Sequence, residues 1–94
     1  MEKIIDMKKY GLVLTGREFG SDVMINLGKD ISPEDDVILD FKGVISLGSS
    51  FADEVIVPIA LLKNKKVKVK NLTPSVESCL VDVAIDNKIE IQTF

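Results

Sequence analysis

Val37-Ile38-Leu39-Asp40-Phe41, followed after Lys42 by Gly43-Val44-Ile45-Ser46-Leu47-Gly48-Ser49-Ser50-Phe51-Ala52-Asp53-Glu54, is the stretch on which the fold turns. The first five residues are apolar on both faces of an extended chain except at Asp40, the pattern of a central parallel strand. A glycine-bounded connection follows, and Ser50 with Asp53 three residues later matches a helix N-terminus. The spacing predicts a helix from there to about Leu62, with Phe51, Ala52, Val55, Ile59 and Leu62 inward and Ile56 at the edge of that stripe. Pro58 lies inside it, removes one backbone hydrogen bond to Glu54 and is expected to kink the rod.

Downstream, Lys66-Val67-Lys68-Val69-Lys70 alternates with period two and reads as a strand with both valines facing a core. Thr73-Pro74 supplies an N-cap and a first-turn proline for a helix carrying Val76, Leu80, Val83 and Ala84 on one face. Lys88 to Thr93 is the last strand. Upstream, Lys3-Ile4-Ile5-Asp6-Met7 and Leu12-Val13-Leu14 read as an opening strand or loose hairpin. Thr15-Gly16-Arg17-Glu18 fits a capping box. The helix it opens shows Phe19, Val23 and Leu27 on one stripe, with Gly20, Met24 and Ile31 beside them. Glycine costs a helix about 1 kcal/mol relative to alanine, so Gly20 on the buried side implies close approach to another backbone.

Right-handed crossovers make the strands from Val37 onward parallel. The reading is one α/β domain over residues 1–94, with about four strands in a mixed sheet and three helices in βαβαβαβ order; antiparallel N-terminal strands would make it α+β.

Composition narrows the chemistry. The chain has 94 residues, 12 Lys+Arg against 15 Asp+Glu, and a net charge of −3. At 46% apolar and a mean hydropathy of +0.22 it can bury a core, with an expected radius of gyration of roughly 12 Å. No histidine and one cysteine leave no triad and no zinc site. An acidic chain with one Tyr and four Phe lacks both the charge and the stacking platform of a nucleic-acid binder. The longest apolar run, Val55 to Leu62, is far shorter than the roughly 20 residues a membrane helix needs. Glu2, Lys3, Asp6, Lys8 and Lys9 break the N-terminal segment before a signal-peptide core can form, and Cys79 has no disulfide partner. A cytoplasmic protein is expected. Neither Gly16 with Gly20 nor Gly43 with Gly48 makes a dinucleotide fingerprint, and there is no P-loop, so no cofactor is expected. No nucleophile and base pair is visible, which argues against an enzyme.

The segment from Asp40 to Glu54 resembles the central signature of STAS domains, the anti-sigma-factor-antagonist family: an aspartate-ended strand, a glycine-containing turn and a serine motif opening a helix. It is more similar to the bacterial STAS-like family of unknown function, which Leu14-Thr15-Gly16-Arg17-Glu18-Phe19-Gly20 and Ser50-Phe51-Ala52-Asp53-Glu54 match, over roughly Leu12 to Thr93. The resemblance implies a regulatory protein-interaction module whose partner is a histidine-kinase-like ATPase or an anti-sigma-type regulator. By position Ser49 corresponds to the serine that such a kinase phosphorylates in the antagonists. Gly48 stands where they have aspartate and Phe51 where they have glycine, and a kinase that reads the aspartate would not read this site.

The residues themselves leave alternatives open. Ser49 and Ser50 are either helix caps or phosphate acceptors at the positive end of a helix dipole. Val57 and Leu61 project opposite the inward stripe beside Asp53 and Glu54, so a partner, a homodimer mate or a neighbouring helix covers them. With Gly48, Ser49 and Ser50 these residues make up the candidate partner-binding surface. Thr15, Arg17, Glu18, Asp40 and Phe51 are the structural residues of the motifs. Asp40 is read as a carboxylate ordering the turn after it; the rival is a small-ligand or oligomerising scaffold with its ligand near Asp40 and Ser46. Arg17 either meets an acidic group or is solvated. Lys63, Lys65, Lys66, Lys68 and Lys70 either bind an acidic surface or anionic lipid or, the favoured reading, face solvent and keep a strand from pairing with another molecule. Cys79 reads as a small buried hydrophobe.

Overall fold

The computed structural model describes residues 2–94. Its elements in chain order are β1 (Glu2–Asp6), a 3-10 turn (Met7–Tyr10), β2 (Val13–Leu14), α1 (Arg17–Gly28), β3 (Asp36–Asp40), β4 (Ser46–Leu47), α2 (Ser49–Leu62), β5 (Lys66–Lys70), α3 (Pro74–Asn87) and β6 (Glu90–Thr93). The main sheet has four strands in the order β1-β3-β5-β6, and β2 and β4 form a separate two-stranded sheet. Every pairing in both sheets is parallel, which corrects the expected mixed sheet and removes the α+β alternative. The N-terminal runs do not make a hairpin. After β1 the 3-10 turn diverts the chain, Val13–Leu14 pairs with Ser46–Leu47, and β1 pairs with β3.

Period-two burial places the core on one side of the main sheet. Ile5, Val37, Leu39, Val67 and Val69 are buried, whereas Ile4 on the opposite pleat is 49% exposed and Ile38 beside it is half-buried. α2 packs against α1, α3 and β5, and α3 against β6, so the helices form one layer with α2 in the middle. That position gives α2 a broad buried face: Phe51, Ala52, Val55, Ile56, Ile59 and Ala60. Leu62, expected inward, is 48% exposed, and Val57, expected outward, is half-buried against the core. On α1, Gly20, Val23 and Leu27 are buried and Phe19 is the more open member of its stripe. On α3, Val76, Leu80 and Val83 are buried as the spacing predicts. The radius of gyration is 11.7 Å.

β5 lies between β3 and β6, so its lysines do not guard a sheet edge as the sequence suggested. Lys68 pairs with Asp36 at 2.6 Å, and Lys63 ends α2 and donates to the carbonyls of Ser32 (3.1 Å), Pro33 (2.8 Å) and Asp35. Thr73 caps α3 as expected, its Oγ1 accepting the Val76 N–H at 3.2 Å, with Pro74 in the first turn.

Candidate functional site

The two-residue sheet of β2 and β4 determines the geometry of the site. Each of its strands runs within two residues into a helix, β2 into α1 and β4 into α2, so the two helix N-termini emerge side by side. The Gly48 N–H donates to the Leu14 carbonyl at 2.8 Å and fastens one start to the other.

Neither helix is capped by a side chain. The N-cap of α1 is Gly16 at φ +96°, a conformation L side chains rarely adopt, and the N-cap of α2 is Gly48. The expected Thr15–Glu18 capping box is therefore not formed, and Ser50 lies in the first turn of α2 rather than at its cap. The capping rule fails at α2 for a steric reason and at α1 for a conformational one, since Gly16 has open space around it but sits at a positive φ. Gly20 presses on α2 so closely that a Cβ there would stand 3.0 Å from the Phe51 carbonyl oxygen, and one on Gly48 would stand 3.1 Å from the Thr15 Cγ2. The backbone contact inferred for Gly20 is thus present, and α2 is its partner.

Across this seam Arg17 reaches two carboxylates. Its guanidinium donates to Glu54 at 2.8 Å and lies 3.5 Å from Asp53, and the Glu54 hydrogen bond is the main reason its pKa is raised. A cation in the first turn of a helix opposes the dipole, and the carboxylates of α2 offset that repulsion. The unfavourable placement of Arg17 was the signal in the sequence that it had a partner; its usual fate as a solvated arginine concealed it. Glu18 is exposed in the first turn of α1, where an acidic group suits the dipole.

Of the proposed partner-binding residues, Ser49 is exposed, Gly48, Ser50, Asp53, Glu54 and Val57 are half-buried, and Leu61 is 61% exposed. Leu61 is thus the open apolar member of the pair. Phe51 is fully buried and packs against Phe19 with ring centroids 5.5 Å apart and planes tilted by 45°, so it is a core residue beneath the surface.

Asp40 lies apart from this group at the end of β3. Its Oδ1 accepts from the Lys42 N–H and from Asn71 Nδ2, each at 2.9 Å, and Asn71 first, then Lys42, holds its carboxyl below the ordinary carboxylate range. This is the turn-ordering carboxylate expected from the sequence. Cys79 is half-buried beside the core; burial, then Asp82 and Asp53, pushes its thiol up and disfavours the thiolate. No group of three or more His, Cys, Asp or Glu side chains among the described residues could hold a metal ion, and no helix there is long and apolar enough to cross a membrane.

Residues 16–77, from the N-cap of α1 into the first turn of α3, match the family described as STAS-like domain of unknown function (DUF4325). Neither a curated relative nor a solved structure matches the chain. The matched span is about two thirds of the sequence and holds both helix starts, the Arg17–Glu54 pair and the serines of α2; the chain belongs to the family of STAS-like domains of unknown function.

Proposed function

We propose that the protein is a non-enzymatic regulatory module that binds another protein chain through the joined N-terminal ends of α1 and α2 and the outer face of α2 as far as Leu61. The observation that carries this reading is the convergence of both motif segments on one surface: Arg17 beside Asp53 and Glu54, with Ser49 exposed at the first residue of α2. That surface combines a charged cluster with an open leucine, the mixture of polar rim and apolar contact that protein interfaces use.

By family resemblance the partner is a histidine-kinase-like ATPase or an anti-sigma-type regulator, and Ser49 is the residue a kinase would modify. A phosphate there would face the unpaired N–H groups of the first turn of α2 and compete for Arg17, which is already engaged by Glu54 and Asp53. A kinase acting here must accept glycine in place of the antagonist aspartate, at a position where a Cβ would crowd Thr15.

The test is quantitative mass spectrometry of the tagged protein recovered from its own cells, wild type beside Arg17→Glu and Leu61→Asp, with the phosphorylation state of the Ser49-Ser50 peptide scored in the same runs. The expected result is a kinase-like or anti-sigma-type protein retained by the wild type and depleted in both variants. Recovery of the same proteins by folded wild type and variants overturns the surface. An unmodified Ser49 in a protein that still binds its partner removes the phosphate step and leaves the docking.

A further inference from the structure

We propose that a second site, at the opposite end of α2, binds a small organic anion with an apolar body. A cavity of about 240 Å³ opens where the C-terminal end of α2 meets the leading ends of β3 and β5. Its apolar lining is Val37, Ile59, Leu62 and Val67. Three of these are core residues, at most 5% exposed, but Leu62 is 48% exposed although the helix spacing turns it inward, because it faces this open space. Benzene fills an apolar cavity of about 150 Å³. The space here therefore suits one six-membered ring, or a chain of similar size, carrying a small polar head.

The charge of that head follows from the rim. Lys63, Lys66 and Lys68 line the cavity against one carboxylate, Asp36, in a protein whose net charge is −3. The three lysines differ in what they can offer. Lys63 donates to the carbonyls of Ser32, Pro33 and Asp35, which uses all the N–H donors of its ammonium. It is a positioning residue that ties the turn carrying Pro33 to the end of α2 and so forms one wall. The carboxylates of that turn are directed elsewhere, Glu34 to the Ser32 hydroxyl and Asp35 to the Ser32 N–H and Lys3. Lys68 is paired with Asp36 at 2.6 Å. Lys66 makes no ion pair among the described residues, although Glu90 lies opposite it in the β5–β6 register, where it accepts from Gln92. Lys66 with the remaining N–H of the Gln92 amide is thus the donor set left for an anionic head.

The backbone sets where Lys66 stands. Asn64 on the rim and Lys65 next to it are consecutive residues with left-handed φ, +57° and +63°. The Lys65 N–H donates to the Ala60 carbonyl at 2.8 Å, so the pair forms the C-terminal turn of α2. Here the turn brings Lys66 to the cavity immediately after α2 ends.

The site is tested by titrating the ¹⁵N-labelled full chain with phenyl phosphate and hexanoate, and separately with their neutral counterparts benzyl alcohol and hexanamide, following backbone amide shifts. Saturable shifts at Val37, Leu62, Val67 and Gln92 are expected with dissociation constants of about 1 mM or tighter. The neutral probes should bind roughly tenfold more weakly, and Lys66→Gln should remove about that factor for the anions alone. Leu62→Ser should weaken anionic and neutral probes together. Both variants alter exposed side chains, and their amide spectra report the fold directly. Absence of saturable shifts, equal binding of neutral probes, or shifts centred on Gly48 to Glu54 would each overturn the proposal. The preference between phosphate and carboxylate identifies the head group.

Discussion

α3 starts by local chemistry, whereas α1 and α2 start by contact with each other. Thr73 and Pro74 supply at one helix everything the capping rules require. At the other two the N-caps are glycines with no side-chain bond, although Thr15 and Ser50 were at hand. The difference teaches that capping residues set a helix start where the chain is free to choose it. Where a two-residue sheet fuses two starts, the local geometry favours glycine instead, at Gly16 through its positive φ and at Gly48 through the crowding of Thr15.

The comparison is broken most severely at Gly20. Gly20→Val should cost about 3 kcal/mol and Gly20→Ala about 1–2 kcal/mol, because the new Cβ meets the Phe51 backbone and outweighs the better helix propensity. Gly28, in the same helix with open space around it, should do the reverse: Gly28→Ala should gain about 0.5–1 kcal/mol. Urea denaturation of the three variants reads both signs. Thr73→Ala should cost about 1 kcal/mol, while Thr15→Ala and Ser50→Ala should each stay within about 0.5 kcal/mol; equal losses at all three would mean that the hydroxyls cap all three helices. A finer probe restores the antagonist residue. Gly48→Asp gains a side-chain cap but crowds Thr15, so adding Thr15→Ala should recover about 0.5–1 kcal/mol in a double-mutant cycle.

The smallest effect concerns pH. The native Asp40 carboxyl is held below its ordinary value by Asn71 and the Lys42 N–H, so the folded state binds its proton less readily than the unfolded state. Its contribution is complete above the unfolded value and lost as pH falls through the folded one. Asp40→Asn should flatten the acid side of the stability profile as pH falls through and below the ordinary carboxylate range, read from urea midpoints; an unchanged slope would show that Asp40 is not coupled to folding.

Much of this arrangement was legible in the sequence. The doubly apolar run at Val37, the period-two valines of Lys66–Lys70 and the Thr73-Pro74 start fixed three elements, and Gly20 foretold the tight helix pair. Pairing was less legible, because two short apolar runs around Tyr10-Gly11 look the same whether they meet each other or separate into two sheets. The helical wheel of α2 misassigned Val57 because neighbours on both sides widen the buried face beyond one stripe, and Leu62 because the inward side at the helix end is an open cavity. At the candidate site, both motifs were visible but their meeting was not, since Arg17 finds its carboxylates only after folding. Lys63 carried no signal, and the left-handed pair was marked by Asn64 alone, since no glycine or proline lies in that turn.

The order of strands in the main sheet repeats their order in the chain. β6 is also the last strand to be synthesised, so any sheet formed before it docks lacks that strand. Until it does, β5 is the open border of the growing sheet, and Lys66, Lys68 and Lys70 stand along it. Charges that guard no edge in the finished protein would guard one during its birth, when a bare parallel strand is most exposed to pairing with a neighbouring nascent chain.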